Sequence, residues 1–313
     1  MTILQKDSPE LPAPRAIVGA MVDELTRFSL PLTKIDAPTW SRRNGGSSYT
    51  VTGASMQDSE LNTYIEVPSG KYARAALFYL CTWARITGER ELSVGESYRS
   101  YLSLLGLEWS GPANAREAIR QLQLVAGSTF SVNTTEVQGS LTRKGADRVL
   151  LADRVDLWLT TDTEDEIHQG SRIILTEAFT GMLKSAVPVP TPAWTHLLRH
   201  SKSALPLDIY LWLCARLYQI TRESRISWGQ LHEQFGSSTD LSDFKRKFRK
   251  ALTLVMEVYP EARIYEQKSV SQRGGFSGYL LKPGSGSATE SEFLSSAHVS
   301  QALHASKSPL GAK

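Results

Sequence analysis

Two segments of this 313-residue chain match each other without a gap, and this repeat constrains the fold more than any other feature. Residues 86–96 read ITGERELSVGE and residues 220–230 read ITRESRISWGQ, at a constant offset of 134 positions. A period this long is not that of a solenoid. The repeat therefore predicts two copies of one small domain.

Capping signals accompany both copies. Ser93 with Glu96, and Ser227 with Gln230, have the spacing of a capping box, in which each side chain binds a backbone N–H of the other residue. A long apolar helix pattern precedes each box. A short helix follows it and ends at Leu-Gly or Phe-Gly, where glycine suits the end of a helix.

A third helix and two strand-like runs complete each copy. The third helices are predicted from Pro112 to about residue 126 and from Asp240 to about residue 259. The strand runs are 129–138 with 148–159, and 261–267 with 276–282. This order predicts an α+β fold, mainly helical, of two tandem winged helix-turn-helix domains with β-hairpin wings.

The rest of the chain is assigned around these copies. A helix is expected at 15–28 and irregular structure at 36–58, which is rich in Gly and Ser. The predicted domains are an N-terminal extension (1–59, partly disordered), a first winged-helix domain (60–171), a second, DNA-reading one (172–283) and a disordered tail (284–313).

Positive charge is concentrated in the second copy, although the whole chain carries only +3. From Arg199 to Lys250 there are ten Lys or Arg and five Asp or Glu, so this stretch carries +5 and the remainder about −2. Such a distribution favours one surface that faces a polyanion.

The helix 240–259 carries most of that charge. Its apolar side is Leu241, Phe244, Phe248, Leu252, Val255 and Tyr259, and its cations are Lys245, Arg246, Lys247, Arg249 and Lys250. Like charges four residues apart disfavour an isolated helix, and no neutralising partner is evident in the sequence. An ordinary solvated face is the alternative, but the position corresponds to the recognition helix of a helix-turn-helix.

Other cations of the two copies are weaker candidates for DNA contact. Arg116 and Arg120 lie on the first third helix, and the tips of the wings carry Arg143 and Lys144, then Lys268 and Arg273. Each of these residues is also compatible with a purely solvated role.

Enzyme, metal and membrane signatures are missing from the sequence. There is no nucleotide-binding glycine loop. His196 and His200 lack the Glu and Cys that would make a zinc site, and the acidic run 162–166 has no ligand spacing. Cys81 and Cys214 are predicted to be buried small hydrophobes. No apolar run is long enough to span a membrane, so a cytoplasmic protein without enzymatic activity, cofactor or metal is expected.

The chain also resembles a known family. The segments VPSGKYARAALFYLCTWARIT (67–87), ELSVGES (91–97), LLGL (104–107), LPLDIYLWLCARLY (205–218), ISWGQLHEQFG (226–236), DFKRKF (243–248) and VYPEA (258–262) resemble the plasmid-encoded RepA replication initiators, in family order. The chain departs from the family at Lys71-Tyr72, where a small residue and then Pro are expected.

The resemblance implies a function. Members would bind directly repeated sites (iterons) in double-stranded DNA at a plasmid origin, help to melt it, and recruit host initiator proteins, helicase loader, helicase and primase. The first domain of related initiators often mediates dimerisation, and the second commonly reads the major groove, here through Lys245, Arg246, Arg249 and Lys250, with Arg273 on the wing. The alternatives are a winged-helix transcriptional repressor, a replication enzyme and a protein–protein adaptor.

Overall fold

Helices and strands are interspersed along the chain in the computed structural model, which describes residues 18–58, 60–95, 97–138, 141–157, 171–236, 240–268 and 275–284. The helices are α1 (Asp23–Thr26), α2 (Gly70–Thr87), α3 (Tyr98–Leu104), α4 (Pro112–Gly127), α5 (Glu177–Met182), α6 (Thr191–His200), α7 (Leu205–Gln219), α8 (Trp228–Phe235) and α9 (Leu241–Val258). The strands are β1 (Val18–Met21), β2 (Thr39–Asn44), β3 (Ser47–Thr52), β4 (Ala54–Gln57), β5 (Thr63–Glu66), β6 (Glu91–Ser93), β7 (Thr129–Gln138), β8 (Leu141–Leu150), β9 (Ala152–Asp156), β10 (Arg172–Leu175), β11 (Val187–Pro190), β12 (Ser224–Ser227), β13 (Ile264–Gln267) and β14 (Gly278–Leu281). The architecture is mixed α and β, and the expectation of a mainly helical chain is not confirmed.

The second copy of the repeat forms a unit of three helices and a three-stranded antiparallel sheet. Its order is α7, β12, α8, α9, β13 and β14, and β14 lies between β12 and β13. Tyr279 on β14 is paired with Ile226 on one side and Glu266 on the other. We call α7 to β14 the second unit.

The first copy has the same elements in the same order, with an addition. The first unit consists of α2, β6, α3, α4, β9 and β10, and its sheet has the order β6-β10-β9. Between α4 and β9 the chain adds the long hairpin β7–β8. Because β10 pairs with both β6 and β9, its hydrogen bonds place it with the first unit, whereas the sequence assigned Arg172–Leu175 to the second domain. The domain boundaries themselves stay predictions.

The N-terminal segment is built from strands, which the sequence analysis did not predict. The helix expected at 15–28 is wrong for its described part: β1 pairs with β11, and only α1 is helical. The irregular structure expected at 36–58 is also wrong, because β2 and β3 join β7 and β8 in a sheet of order β2-β3-β7-β8. Apolar residues at Ala20, Met21 and Val22 fit a short buried strand as well as a helix face.

One of the two predicted capping boxes is confirmed, and the other lies four residues further along the chain. The Ser227 Oγ accepts from the Gln230 N–H at 3.2 Å, and Gln230 Oε1 accepts from the Ser227 N–H at 2.8 Å. In the first unit Ser93 ends β6, whose pairing with β10 uses its backbone. The helix α3 is capped by Ser97 and Ser100 instead. Glu96 lies outside the described residues.

A single hydrophobic core runs through both units, and a buried ion pair crosses their contact. Both cysteines are buried thiols within it, as predicted. Arg74 of α2 donates from Nε and Nη2 to the Asp208 carboxylate of α7, at 2.9 and 2.7 Å. Arg74 also donates to the carbonyls of Leu30 and Pro31, at 2.5 and 2.6 Å. Arg74 and Asp208 are 134 residues apart, so they occupy equivalent positions in the repeat.

Candidate nucleic-acid interface

The helix α9 begins at a strong cap and has one buried side. Asp240 accepts from the backbone N–H groups of Ser242 and Asp243, at 2.8 and 2.9 Å. The predicted apolar stripe is buried, except that Leu241 at the first turn is 39% exposed; the buried residues are Phe244, Phe248, Ala251, Leu252 and Val255. The opposite side of α9 therefore faces away from the core.

An aromatic cluster fixes the position of α9 relative to α8 and the sheet. Trp228 makes edge contacts with Phe244, Phe248 and Tyr279, at ring-centroid distances of 6.3, 5.7 and 5.1 Å. Phe235 at the end of α8 also contacts Phe248, at 6.0 Å. Such pairs add specific geometry to the burial of apolar area, so the exposed side of α9 has a defined orientation.

Cations cover the exposed side of α9. Arg246 is 71% exposed, Lys250 is exposed, and Lys247 and Arg249 are about half exposed. Lys245 is partly covered, with its Nζ 5.7 Å from the centre of the Trp228 ring. We call Lys245, Arg246, Lys247, Arg249 and Lys250 the α9 cation face.

Three of these five cations have carboxylate partners, contrary to the expectation from sequence. Asp243 binds Arg246 and Lys247, each at 2.6 Å, and these hydrogen bonds, that of Lys247 first, lower the pKa of Asp243. Glu266 on β13 binds Arg249 at 2.7 Å, which lowers the pKa of Glu266 and raises that of Arg249. Both carboxylates are therefore charged at neutral pH.

The α9 cation face keeps a positive balance despite these pairs. Five cations against two carboxylates leave +3, and neither Lys245 nor Lys250 forms an ion pair with another described residue. Exposed ion pairs contribute only about 0–1 kcal/mol, so a phosphate can replace a carboxylate at little cost. The pairs reduce the charge without removing the anion-binding character of the face.

Trp228 is a part of this site that the sequence analysis did not single out. The Arg249 guanidinium lies 4.9 Å from the centre of its ring, and the ring is buried. Cation–π contact with a desolvated tryptophan holds a guanidinium in place. The indication in the sequence was an aromatic residue directly after the Ser227 cap, beneath the basic helix.

The first unit offers fewer candidate DNA contacts than the second unit. Arg120 is bound to Glu117 at 2.8 Å and also to the buried Glu66, and it is only 28% exposed. This ion-pair network joins α4 to β5 and occupies the Arg120 guanidinium, while the DNA contact of Arg120 stays a prediction. Arg116 on the same helix is exposed and stays a candidate.

The predicted wing residues are distributed differently from the prediction. Arg143 and Lys144 lie within β8 rather than in a turn, and both are exposed. As neighbours in a strand they point to opposite faces of the sheet. Lys268 is exposed just after β13, and Arg273 lies outside the described residues. The structure thus brings Lys268 near the Arg249–Glu266 pair and places Arg143 and Lys144 on a separate sheet.

Two negative findings apply to the part of the chain that the structure describes. No cluster of three or more His, Cys, Asp or Glu side chains there could hold a metal ion. No helix in it is both long enough and apolar enough to cross a membrane.

A comparison with protein families decides the identity of the chain. A family model described as plasmid encoded RepA protein matches residues 67–230, more than half of the sequence. The chain belongs to this family of plasmid replication initiators. The match begins just before α2 and ends within α8, so α9 lies beyond it.

Solved structures and curated sequences add little to this assignment. The chain is similar to domains 2 and 3 of RctB in a selenomethionine derivative, with 13% identity, 86% of this chain and 97% of that chain covered, and a TM-score of 0.49. A second crystal structure of RctB domains 2–3 gives 13% identity, coverage of 87% and 98%, and a TM-score of 0.44. No curated protein sequence matches the chain.

Proposed function

We propose that this RepA family member initiates plasmid replication by binding repeated duplex sites (iterons) at its origin through the α9 cation face. The observation that carries the proposal is the second unit, whose third helix α9 packs on an aromatic cluster and presents an exposed cationic side. In this role the chain acts by binding, without a catalytic step of its own.

The arrangement of the second unit supports a winged-helix interpretation. A helix, a strand, two further helices and two strands, with the last strand in the centre of the sheet, is the order expected of a winged helix-turn-helix. In that motif the third helix enters the major groove, which accommodates one α-helix. The α9 cation face then meets the phosphates that border the groove.

The later steps of initiation belong to the same proposal. Binding at repeated sites would place several copies of the chain beside an AT-rich tract, melt it, and recruit host helicase loader and helicase. The first unit would contribute to dimerisation, with Arg116 as a further DNA contact. Family membership supports these steps.

A salt titration of DNA binding tests the proposal. The variant Lys245→Ala/Lys250→Ala removes the two cations of the α9 cation face that pair with no carboxylate among the described residues. If both contact phosphates, the slope of log K against log salt becomes less steep by about 1.8, since each contact contributes about 0.9. The matched control Lys184→Ala/Lys202→Ala removes two exposed cations elsewhere and should leave the slope unchanged.

A variant that increases the positive charge of the α9 cation face tests the proposal in the opposite direction. Glu266→Gln frees Arg249 from its carboxylate and raises the net charge of the face by one, so duplex binding should tighten several-fold and the salt slope should steepen by about 0.9. A wild-type slope near zero, or a Glu266→Gln variant that binds more weakly, would reject α9 as the DNA-facing helix.

Replication itself separates initiator from repressor. The gene is placed beside its upstream repeats on a vector that cannot replicate in the host, and transformants are counted. Colonies with the wild-type gene and none with Lys245→Ala/Lys250→Ala are expected. Absence of colonies in several hosts, despite specific DNA binding, would favour a repressor.

A further inference from the structure

The four-stranded sheet β2-β3-β7-β8 presents a solvent-facing side whose composition is unusual for a protein surface. Cross-strand pairing places alternate residues of the four strands on this side. We call it the outer sheet face. Its residues are Thr39, Ser41, Arg43, Ser48, Thr50, Thr52, Thr129, Ser131, Asn133, Thr135, Thr142, Lys144, Ala146, Arg148 and Leu150.

The outer sheet face carries cations and neutral hydrogen-bonding groups but no acid. Arg43, Lys144 and Arg148 are exposed, and none of them forms an ion pair with another described residue. Ten further positions are Ser, Thr or Asn, and none is Asp or Glu. A surface with net charge +3 and many hydroxyl donors is complementary to a polyanion.

The opposite face of the same sheet has a different composition, so the bias belongs to one side. Tyr49, Val51 and Phe130 are buried there. The strand register also places the acidic residue Asp147 on this opposite face. Arg42 lies on it as well, with its guanidinium 3.8 Å from the centre of the Trp40 ring. Arg42 is therefore partly covered, whereas Arg43 is exposed.

Spacing and chemistry favour duplex DNA as the polyanion. Arg43 lies on one edge strand, and Lys144 and Arg148 lie on the other, so the three cations form a triangle with sides of about 14–16 Å, estimated from strand spacing and residue rise. That distance corresponds to roughly four base pairs of duplex. The face carries no aromatic residue on which unpaired bases could stack, as a single-strand-binding surface normally does.

The location also fits a surface that extends the α9 contact. The edge strand β2 packs against α8, and the Ser29 hydroxyl beside it donates to the carbonyl of Gln234 in α8 at 3.2 Å. The outer sheet face is thus fixed to the second unit, although it is built from the N-terminal segment and the β7–β8 hairpin.

We propose that the outer sheet face binds the phosphate backbone of the same duplex that α9 reads, with Arg43, Lys144 and Arg148 as the phosphate contacts. This inference rests on the proposed function. Backbone contacts carry no base information, so this face adds affinity and orientation, and leaves the choice of sequence to α9.

The variant Arg43→Ala/Arg148→Ala in the full chain tests the inference on a duplex with two origin repeats and on a random duplex of equal length. Loss of two phosphate contacts should flatten the salt slope by about 1.8 and weaken binding by roughly 10- to 60-fold near 0.1 M salt. Both duplexes should be affected equally, so that the specificity ratio is unchanged. Hydroxyl-radical footprinting should lose backbone protection at one edge of the site only.

Two further variants make the result decisive. Arg43→Lys/Arg148→Lys keeps the charges and should restore the slope, and Lys184→Ala/Lys202→Ala should match wild type. If Lys245→Ala/Lys250→Ala flattens the slope while Arg43→Ala/Arg148→Ala does not, the outer sheet face is not a DNA surface and the proposed function stands. If wild type itself binds no duplex, the proposed function fails first.

Discussion

The buried pair between Arg74 and Asp208 provides the sharpest test of how the two units are held together. The side chains are 3% and 6% exposed, and the carboxylate is the only charged partner of the guanidinium among the described residues. Asp208→Ala leaves a buried cation with carbonyl acceptors alone. Removing one partner of a buried ion pair costs about 3–5 kcal/mol, so the free energy of unfolding should fall by that amount.

The measurement is urea unfolding followed by tryptophan fluorescence, since Trp194 and Trp212 are buried in the shared core. An exposed pair serves as the control: Lys282 and Glu223 are 2.9 Å apart and 43% and 55% exposed. Glu223→Gln should change the free energy of unfolding by less than about 1 kcal/mol.

A double variant isolates the cause. Arg74→Met/Asp208→Leu leaves no buried charge at this contact, so its cost should be well below the sum of the costs of the two single variants. The remaining cost comes mainly from the carbonyl of Leu30, which loses the Arg74 donor, at about 1–3 kcal/mol for a group left unpaired. The carbonyl of Pro31 still accepts from the Gly70 N–H at 3.1 Å. An Asp208→Ala variant within about 1 kcal/mol of wild type, or strictly additive costs, would refute the reasoning.

Two other predictions concern acid stability and the first-unit cap. Burial alone raises the pKa of Glu66, but hydrogen bonds from Lys34 and Arg120 outweigh burial and lower the pKa overall. Ionised Glu66 therefore stabilises the fold at every pH above its pKa in the unfolded chain, which is about 4.3. This stabilisation is lost as the pH falls through the lower pKa of Glu66 in the folded protein. The urea midpoint of the wild type should fall as the pH drops below about 4.3, and Glu66→Gln should make this fall less steep. The control Glu60→Gln, at an exposed site, should leave it unchanged. Parallel curves of urea midpoint against pH for Glu66→Gln and wild type would contradict the prediction. Ser97→Ala should lower the free energy of unfolding by about 1 kcal/mol because Ser97 is the N-cap of α3. Ser93→Ala should lower it by roughly a few tenths of a kcal/mol. A larger loss of thermal stability for Ser93→Ala than for Ser97→Ala would show that the cap is assigned to the wrong serine.

Local sequence patterns predicted the elements of the second unit well. The apolar stripe of α9, the Ser227–Gln230 box and the strand on each side of residues 268–277 all follow from short-range periodicity and capping chemistry. The same reasoning failed for β1, β2 and β3. β1 and β3 pair with β11 and β7, which lie far away in the chain, and pairing at such distance has no signature in the residues themselves. β2 pairs with the neighbouring β3 across Gly45 and Gly46, a two-glycine hairpin signal that the expectation of irregular structure overlooked.

The charge of the candidate site was predictable only in part. The cations of α9 are visible in the sequence, but Glu266 comes from β13, seventeen residues beyond Arg249, and only the fold brings the two together. Arg120 illustrates the same limit, since its partner Glu66 is 54 positions earlier in the chain. Net charge can be read from a sequence, whereas the pairing of charges depends on the tertiary structure.

The contact between Arg74 and Asp208 has a consequence for self-association. Positions that the repeat aligns carry opposite charges, so this surface is complementary between the two halves of one molecule and self-repelling between like halves. A homotypic pairing there would bring two guanidinium groups, or two carboxylates, together away from water. A homotypic dimer through the first unit would therefore use a different side of that unit.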